Sequence, residues 1–294
     1  MSMIPTGGIK EIIRVLPPKD SYYPFRLQAL QKALDNDPNS PVIPFLMKVV
    51  HAQESAFQAL KSEKATFNFQ EKEPFFVMDE AMLQCFQQTA ITFCEALKAR
   101  IETKNSSDYS EILKAVNALS TAIIDKEKTK QYFENIITLD LEAIPAHQRL
   151  FLLASMQVTL HFAATNLKVD EQYLLEAHDL CPCCKMPAIS SVLDNSDGGL
   201  RYLYCSFCET KWHVVRSTCT ECTSNKSLFQ TTMEALDSPM SAEVCGECNT
   251  YLKFLDRTKT LIADPFIEDL LTLTITIKLT DKDFHTFGLN PYFV

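Results

Sequence analysis

Nine of the eleven cysteines in this 294-residue chain fall between Cys181 and Cys248. Eight of those form four Cys-x-x-Cys pairs: Cys181/Cys184, Cys205/Cys208, Cys219/Cys222 and Cys245/Cys248. Two residues between cysteines let one tight turn aim both sulfurs at a single point, and two such turns supply the four thiolates of a tetrahedral metal site. The first and second pairs are separated by 20 residues, the third and fourth by 22, and the second and third by only 10. Spacings of about 20 are those of zinc ribbons and rubredoxin-like knuckles. They favour two sites made from adjacent pairs, Cys181, Cys184, Cys205, Cys208 on one ion and Cys219, Cys222, Cys245, Cys248 on the other. A cross-braced pairing and four independent dithiols or disulfides are the competing readings. All-thiolate tetrahedral sites accept iron and zinc alike, so two ions per chain of either metal are expected.

Turns of this kind often carry glycine after the second cysteine, because that residue sits at positive φ. Here the positions are Lys185, Glu209, Thr223 and Asn249, of which only Asn249 adopts that geometry readily. Some strain, or a variant turn, is implied. Cys183 adds a third thiol to the first knuckle and competes with Cys184, which the spacing favours. His213 is a possible substitute ligand, but with eight thiolates present it is expected to pack beside Trp212.

The constellation is structural rather than hydrolytic. Catalytic zinc keeps an open position and usually has His or carboxylate ligands. No His-Glu-x-x-His, Gly-x-Ser-x-Gly or Gly-x-Gly-x-x-Gly motif and no P-loop is present, and six glycines leave little for phosphate-cradling loops. The formal charge is −9, and between residues 178 and 259 eight basic residues face ten acidic ones. That balance argues against a nucleic-acid face, the usual companion of zinc ribbons. The opening residues lack a basic stretch followed by an apolar one, and no run of about 18 apolar residues occurs. A cytoplasmic protein without stable membrane insertion is therefore expected, in a compartment where clustered cysteines mean metal or redox chemistry more often than disulfides.

The elements that must position these thiols change character near residue 178. Upstream the pattern is helical. Phe45, Leu46, Val49, Val50, Ala56, Phe57 and Leu60 make one apolar stripe within residues 41–60, and Phe86, Ala90, Phe93 and Leu97 make another within 79–100. Further helices are expected at about 107–120, 128–138, 146–166 and 170–178. In the 146–166 helix, Leu150, Leu153, Ala154, Val158 and Phe162 form a broad apolar face, and His161 reads as a satisfied, half-buried histidine. Cys85 and Cys94 read as core or surface thiols. Downstream, Arg201-Tyr-Leu-Tyr and Trp212-His-Val-Val read as strands flanking a knuckle, with Gly198-Gly199 as the turn before them, and Tyr251-Leu-Lys-Phe-Leu as another strand. Asp264-Pro265 opens a helix, Thr272–Leu279 suits helix or strand, and residues 288–294 form a docked tail. The expected fold class is α+β: an all-helical domain over 1–175, a double rubredoxin-like, zinc-ribbon module over 176–256, and a C-terminal helix and tail over 257–294. Within the module, each half is a knuckle, a loop, a second knuckle and an exiting strand.

The chain resembles a known family. Cys181-Pro-Cys-Cys, the run from Gly199 to Arg216 (GLRYLYCSFCETKWHVVR), Cys219-Thr-Glu-Cys, Ala242-Glu-Val-Cys-Gly-Glu-Cys, Tyr251-Leu-Lys and Asn290-Pro291 are similar to the formate dehydrogenase accessory protein FdhE family. The likeness covers about 178–294, and the helical part matches only in type and length. Lys185 stands where the family usually has glycine, and Cys183 is unusual. The resemblance implies a cytoplasmic, non-enzymatic maturation factor that binds the immature catalytic subunit of formate dehydrogenase before export, with rubredoxin-like sites holding iron or zinc. A rubredoxin-like electron carrier or a dithiol redox protein is the alternative. Self-association stays open.

Overall fold

The computed structural model describes residues 12–102, 109–175, 179–193, 199–232, 238–260 and 262–293. Six helices of the N-terminal half follow from their apolar stripes and their ends. α1 (Tyr23–Asn36) starts with Pro24 in its first turn, where the missing N–H costs nothing. α2 (Ile43–Glu63) does the same with Pro44 and ends on Lys64 at φ 54°. α3 (Glu80–Glu102) is capped by Asp79, whose carboxylate accepts the Met82 N–H. α4 (Ser110–Ala122) and α5 (Lys126–Ile137) follow, the latter capped by Asp125. α6 (Ala146–Asn166) is the central rod: every residue from Phe151 to Ala164 is buried. Its polar residues are satisfied internally or from neighbours. Ser155 and Thr159 donate back one turn, and Gln157 meets Gln53 of α2. A helix buried on all sides must have packing partners all round. α2 and α3 lie on one side of α6, and the Cys-rich half lies on the other.

That half is one sheet. β2 (Ala188–Leu193), β3 (Arg201–Cys205) and β4 (Lys211–His213) form an antiparallel meander, and β5 (Leu228–Thr231), β6 (Met240–Cys245) and β7 (Thr250–Asp256) form a second. A parallel pairing of β2 with β7, Ser191 opposite Phe254, joins the two. β1 (Val15–Leu16) adds to β4, and β8 (His285–Thr286) to β7, giving the order β1-β4-β3-β2-β7-β6-β5. α7 (Pro265–Leu271) packs on β2, and α8 (Leu273–Thr280) covers the β6–β7 ribbon through Ile275 and Leu279. One buried apolar cluster runs from Val15 through all six helices to Tyr292.

Residues 170–175 depart from the expected 170–178 helix. The Asp170 side chain accepts the Gln172 N–H and its carbonyl accepts the Tyr173 N–H, so an Asx-type turn takes the place of a helical one. Positions 176–178, like 107–108 of the expected 107–120 helix, Gly198 of the expected turn and Val294 of the tail, lie outside the described residues. Of Thr272–Leu279, residues 273–279 are helix and Thr272 is the turn that precedes it. The tail is docked: Asn290 Nδ2 donates to the Phe266 carbonyl and to Asp269, and Tyr292 is buried.

Candidate metal centres

Each knuckle is a turn closed by backbone hydrogen bonds. Lys185 N donates to Cys181 O at 2.9 Å and Cys181 N to Met186 O at 3.0 Å; Thr223 N and Cys219 N repeat the pattern. The residue after each second cysteine is left-handed: Lys185 at φ 59°, Glu209 at 60°, Thr223 at 58° and Asn249 at 55°. The strain anticipated at these positions is therefore present, on the order of 1–2 kcal/mol for each residue with a Cβ. It is met by local anchors. Lys185 reaches Glu73 at 3.5 Å, and Glu209 is tied on several sides.

The four turns bring the thiols together as two sets made from adjacent pairs. Cys181, Cys184, Cys205 and Cys208 form one, and Cys219, Cys222, Cys245 and Cys248 the other, all ligand atoms within 4.8 Å of one another in each. Cys181 and Cys208 Sγ lie 3.5 Å apart and Cys184 and Cys205 3.4 Å; in the second set Cys219 to Cys248 is 3.8 Å and Cys222 to Cys245 3.7 Å. Four thiolates around an ion at about 2.3 Å sit ~3.8 Å apart on a tetrahedron, so both sets fit one ion each. They are too far apart for disulfides, and all eleven cysteines are free. Cys183 is buried but outside the set, and its Sγ accepts from Thr210 Oγ1 at 3.5 Å. His213 lies against Tyr202 and joins neither set.

The upstream thiols differ. Burial pushes Cys85 up to about 12 and Cys94 up to about 11, so both stay protonated in the helical core. Partial burial acts the same way on Cys248, but hydrogen bonding from Thr250, whose Oγ1 lies at 3.0 Å, and from its thiol neighbours brings it down to about 7.

A buried ionic cluster fastens the first set to the helices. Arg26 of α1 is wholly buried. Its Nη2 donates to Glu209 Oε1 at 3.0 Å, its Nε to Asp264 Oδ2 at 3.1 Å and its Nη1 to Tyr292 Oη at 3.0 Å. Its guanidinium stacks over Phe266 at 4.3 Å. Glu209 also accepts from Tyr204 Oη at 2.9 Å. His161 is fully rather than half-buried. Its Nδ1 faces Glu209 Oε1 and its Nε2 the Asp20 carbonyl, both at 3.1 Å. Burial would raise the Glu209 carboxyl, but Arg26 and His161 outweigh it and hold it at about 2. At Asp264 burial wins over Arg26 and the carboxyl is raised.

Sequence reasoning passes over Arg26, Glu209 and Asp264 as a group. Two signals point to them: Glu209 occupies a position that needs a reason to be other than glycine, and Asp264-Pro265 marks a helix start, with the Asp264 side chain capping α7.

An α-helical body fused to a sheet carrying two four-cysteine knuckle sites defines the class of protein. The model of the FdhE central domain matches residues 180–216, and that of the FdhE C-terminal domain matches 217–293. A FdhE homolog of Actinobacillus pleuropneumoniae is 27% identical over 290 residues, covering 94% of this chain and 90% of that protein. One from Proteus mirabilis is 32% identical over 196 residues, 66% of this chain and 59% of that protein. The crystal structure of the FdhE protein from Pseudomonas aeruginosa shares the fold, with a TM-score of 0.73, 21% identity, and coverage of 95% of this chain and 98% of that one. The chain belongs to the FdhE family. Among the described residues no helix is long and apolar enough to cross a membrane.

Proposed function

We propose that this chain is a cytoplasmic, non-enzymatic maturation factor that binds the immature catalytic subunit of formate dehydrogenase before its export. In this reading each four-cysteine set holds one iron or zinc ion, with Cys181, Cys184, Cys205 and Cys208 as ligands of the first and Cys219, Cys222, Cys245 and Cys248 as ligands of the second. The observation that carries it is the pair of converging all-thiol sets within a chain of the FdhE family. An all-thiolate site leaves no open position for a substrate, which supports shaping a surface over hydrolysis.

The first test is metal content with an ultraviolet–visible spectrum on anaerobically purified protein. Two ions per chain are expected, and no metal with eight titratable thiols would refute the ligand assignment. The second is capture of the precursor catalytic subunit by immobilised full-length protein. Equal or better capture of an unrelated exported enzyme would refute the client assignment. A redox role is the second reading, favoured by the exposure of Cys222 at the second set. Reversible iron electrochemistry would support it, and zinc occupancy would end it.

A further inference from the structure

The two cysteine sets are one local structure placed in two surroundings. Offsets of 38 and 40 residues align their knuckles: Cys181-Pro-Cys-Cys-Lys with Cys219-Thr-Glu-Cys-Thr, and Cys205-Ser-Phe-Cys-Glu with Cys245-Gly-Glu-Cys-Asn. At the turn tips, Pro182, Cys183 and Phe207 of the first set are buried. Their counterparts are Thr220, which is buried, and the exposed Glu221 and Glu247.

The cover over the first set is specific. The chain between α2 and α3 straps its tip, with Phe75 N donating to Pro182 O at 3.0 Å and Phe76 N to Cys183 O at 2.9 Å. Gln157 of α6 donates to the Ser206 carbonyl at 3.1 Å, and Arg26 holds Glu209. All four thiols are buried as a result. At the second set the positions equivalent to Cys184 and Cys208 are different: Cys222 is exposed and Cys248 half-buried. The inner pair is approached as well. A cavity of about 310 Å³ opens beside Cys219 and Cys245, between Arg201, Glu243 and Phe229.

We propose that the second set is an exchange and modification site, where soft divalent cations enter and leave and where thiol-directed electrophiles attack Cys222 and Cys248, while the first set stays closed. This rests on the reading that each set holds an ion. A chelator displaces thiolates one at a time, and each displacement needs room for the incoming donor. At Cys222 that room exists in the folded chain. At the first set it exists only after the Phe75–Phe76 strap and α6 separate from the knuckles, an opening that breaks the shared core. Alkylation obeys the same restriction. With iodoacetamide, Sγ forms a bond to the methylene carbon, the carbon–iodine bond breaks, iodide leaves, and the ion loses one of its four thiolates.

The test uses full-length protein loaded with zinc to two ions per chain and challenged with excess EDTA, free zinc being followed with a metallochromic dye. Parallel samples are pulsed with iodoacetamide and their cysteine peptides weighed. One ion is expected to leave roughly a hundredfold or more faster than the other. Label should appear at Cys222 and Cys248 before any at Cys181, Cys184, Cys205 or Cys208. Cys222→Ser, left with three thiolates at the second set, should release that ion faster still or fail to load it, and should keep the slow phase. Release of both ions in one phase, first-set labelling at the same rate, or loss of the slow phase in folded Cys222→Ser would overturn the proposal. The wild-type labelling order decides the matter even if that variant does not fold. Failure to load two ions is a separate result, which refutes the ligand assignment itself.

Discussion

The first and second Cys-rich meanders share turns, strand order and thiol geometry, yet different forces hold them. The first is an extension of the helical core. Ala188, Val192, Leu203, Tyr204, Phe207 and Trp212 belong to the same buried cluster as the helices, and its ionic anchor has no contact with water. On its α8 side the second has a small cluster of its own, Ala242, Val244, Tyr251, Ile275 and Leu279, with Phe284 against it. Its other face sends Met240, Leu252 and Leu255 into the shared cluster, fewer side chains than the first meander contributes, and a metal or a neighbouring sheet must supply the rest. The β2–β7 pairing is that neighbour. A four-thiolate site can thus be a rivet inside a core or a chemically open group on a surface, and the residues at the turn tips decide which.

The hardest strain on this comparison comes from removing equivalent ligands. In the metal-loaded protein proposed above, Cys208→Ser should cost on the order of 5 kcal/mol or more, because it would delete a ligand whose binding energy is folding energy and leave a mismatch inside the common core. Its counterpart Cys248→Ser should cost about 1–2 kcal/mol and lose one ion while the helices stay folded. Urea unfolding followed by far-ultraviolet circular dichroism, with metal content alongside, measures both. Equal losses would mean the two meanders are held alike. Next comes the anchor. Arg26→Met takes the one paired cation from buried Asp264 and leaves Glu209 with only His161 and Tyr204, which should cost about 3–5 kcal/mol. An exposed cation makes the control. Lys61, paired with Asp20 at 3.2 Å with both side chains more than half exposed, should cost less than about 1 kcal/mol when changed to Met.

What could be read in advance follows the same division. The thiol sets, their adjacent pairing and the four left-handed turn positions depend on short spacings and were legible. So were α2, α3, α5 and α6, whose apolar stripes repeat with helical period. α1 was not, since its buried face contains Arg26, a residue that only a folded partner 183 positions away makes acceptable inside a core. β2 was missed because Ser190 and Ser191 are buried together and break the alternation, and β5 because it is four residues long. β6 has its polar Ser241 buried under Gln230, a contact made across the sheet. The two-residue β1 has no pattern of its own and exists only because β4 offers an edge. In each case the missing information is a partner distant in sequence.

A titration sharpens the comparison further. Burial raises Glu268 in the first turn of α7, beside Asp264 and the cover of the first meander, to about 7, against the pull of Lys32. The folded chain therefore holds this proton more tightly than the unfolded chain. The stabilising contribution is complete below about 4.5, the unfolded value, and is lost as pH rises through about 7. Glu268→Gln imitates the protonated group. It should match wild type at pH 4 and exceed it by about 1–3 kcal/mol at pH 8. Chemical unfolding at the two pH values measures this. An equal gain at both would show that Glu268 acts by something other than its charge.

The smallest expected effect separates the two meanders most cleanly. Phe207 and Glu247 occupy the same place in their turns, but Phe207 is fully buried and Glu247 is exposed, its carboxylate accepting from Ser227 Oγ at 2.7 Å. Phe207→Ala should cost about 3–5 kcal/mol through the cavity it leaves. Glu247→Ala removes one exposed hydrogen bond, so its stability change should stay within about 0.5 kcal/mol. Thermal unfolding of the two variants reads both numbers. If Glu247→Ala proved as damaging as Phe207→Ala, the second knuckle would have to be buried against something in solution, and the openness of its thiols would go with it.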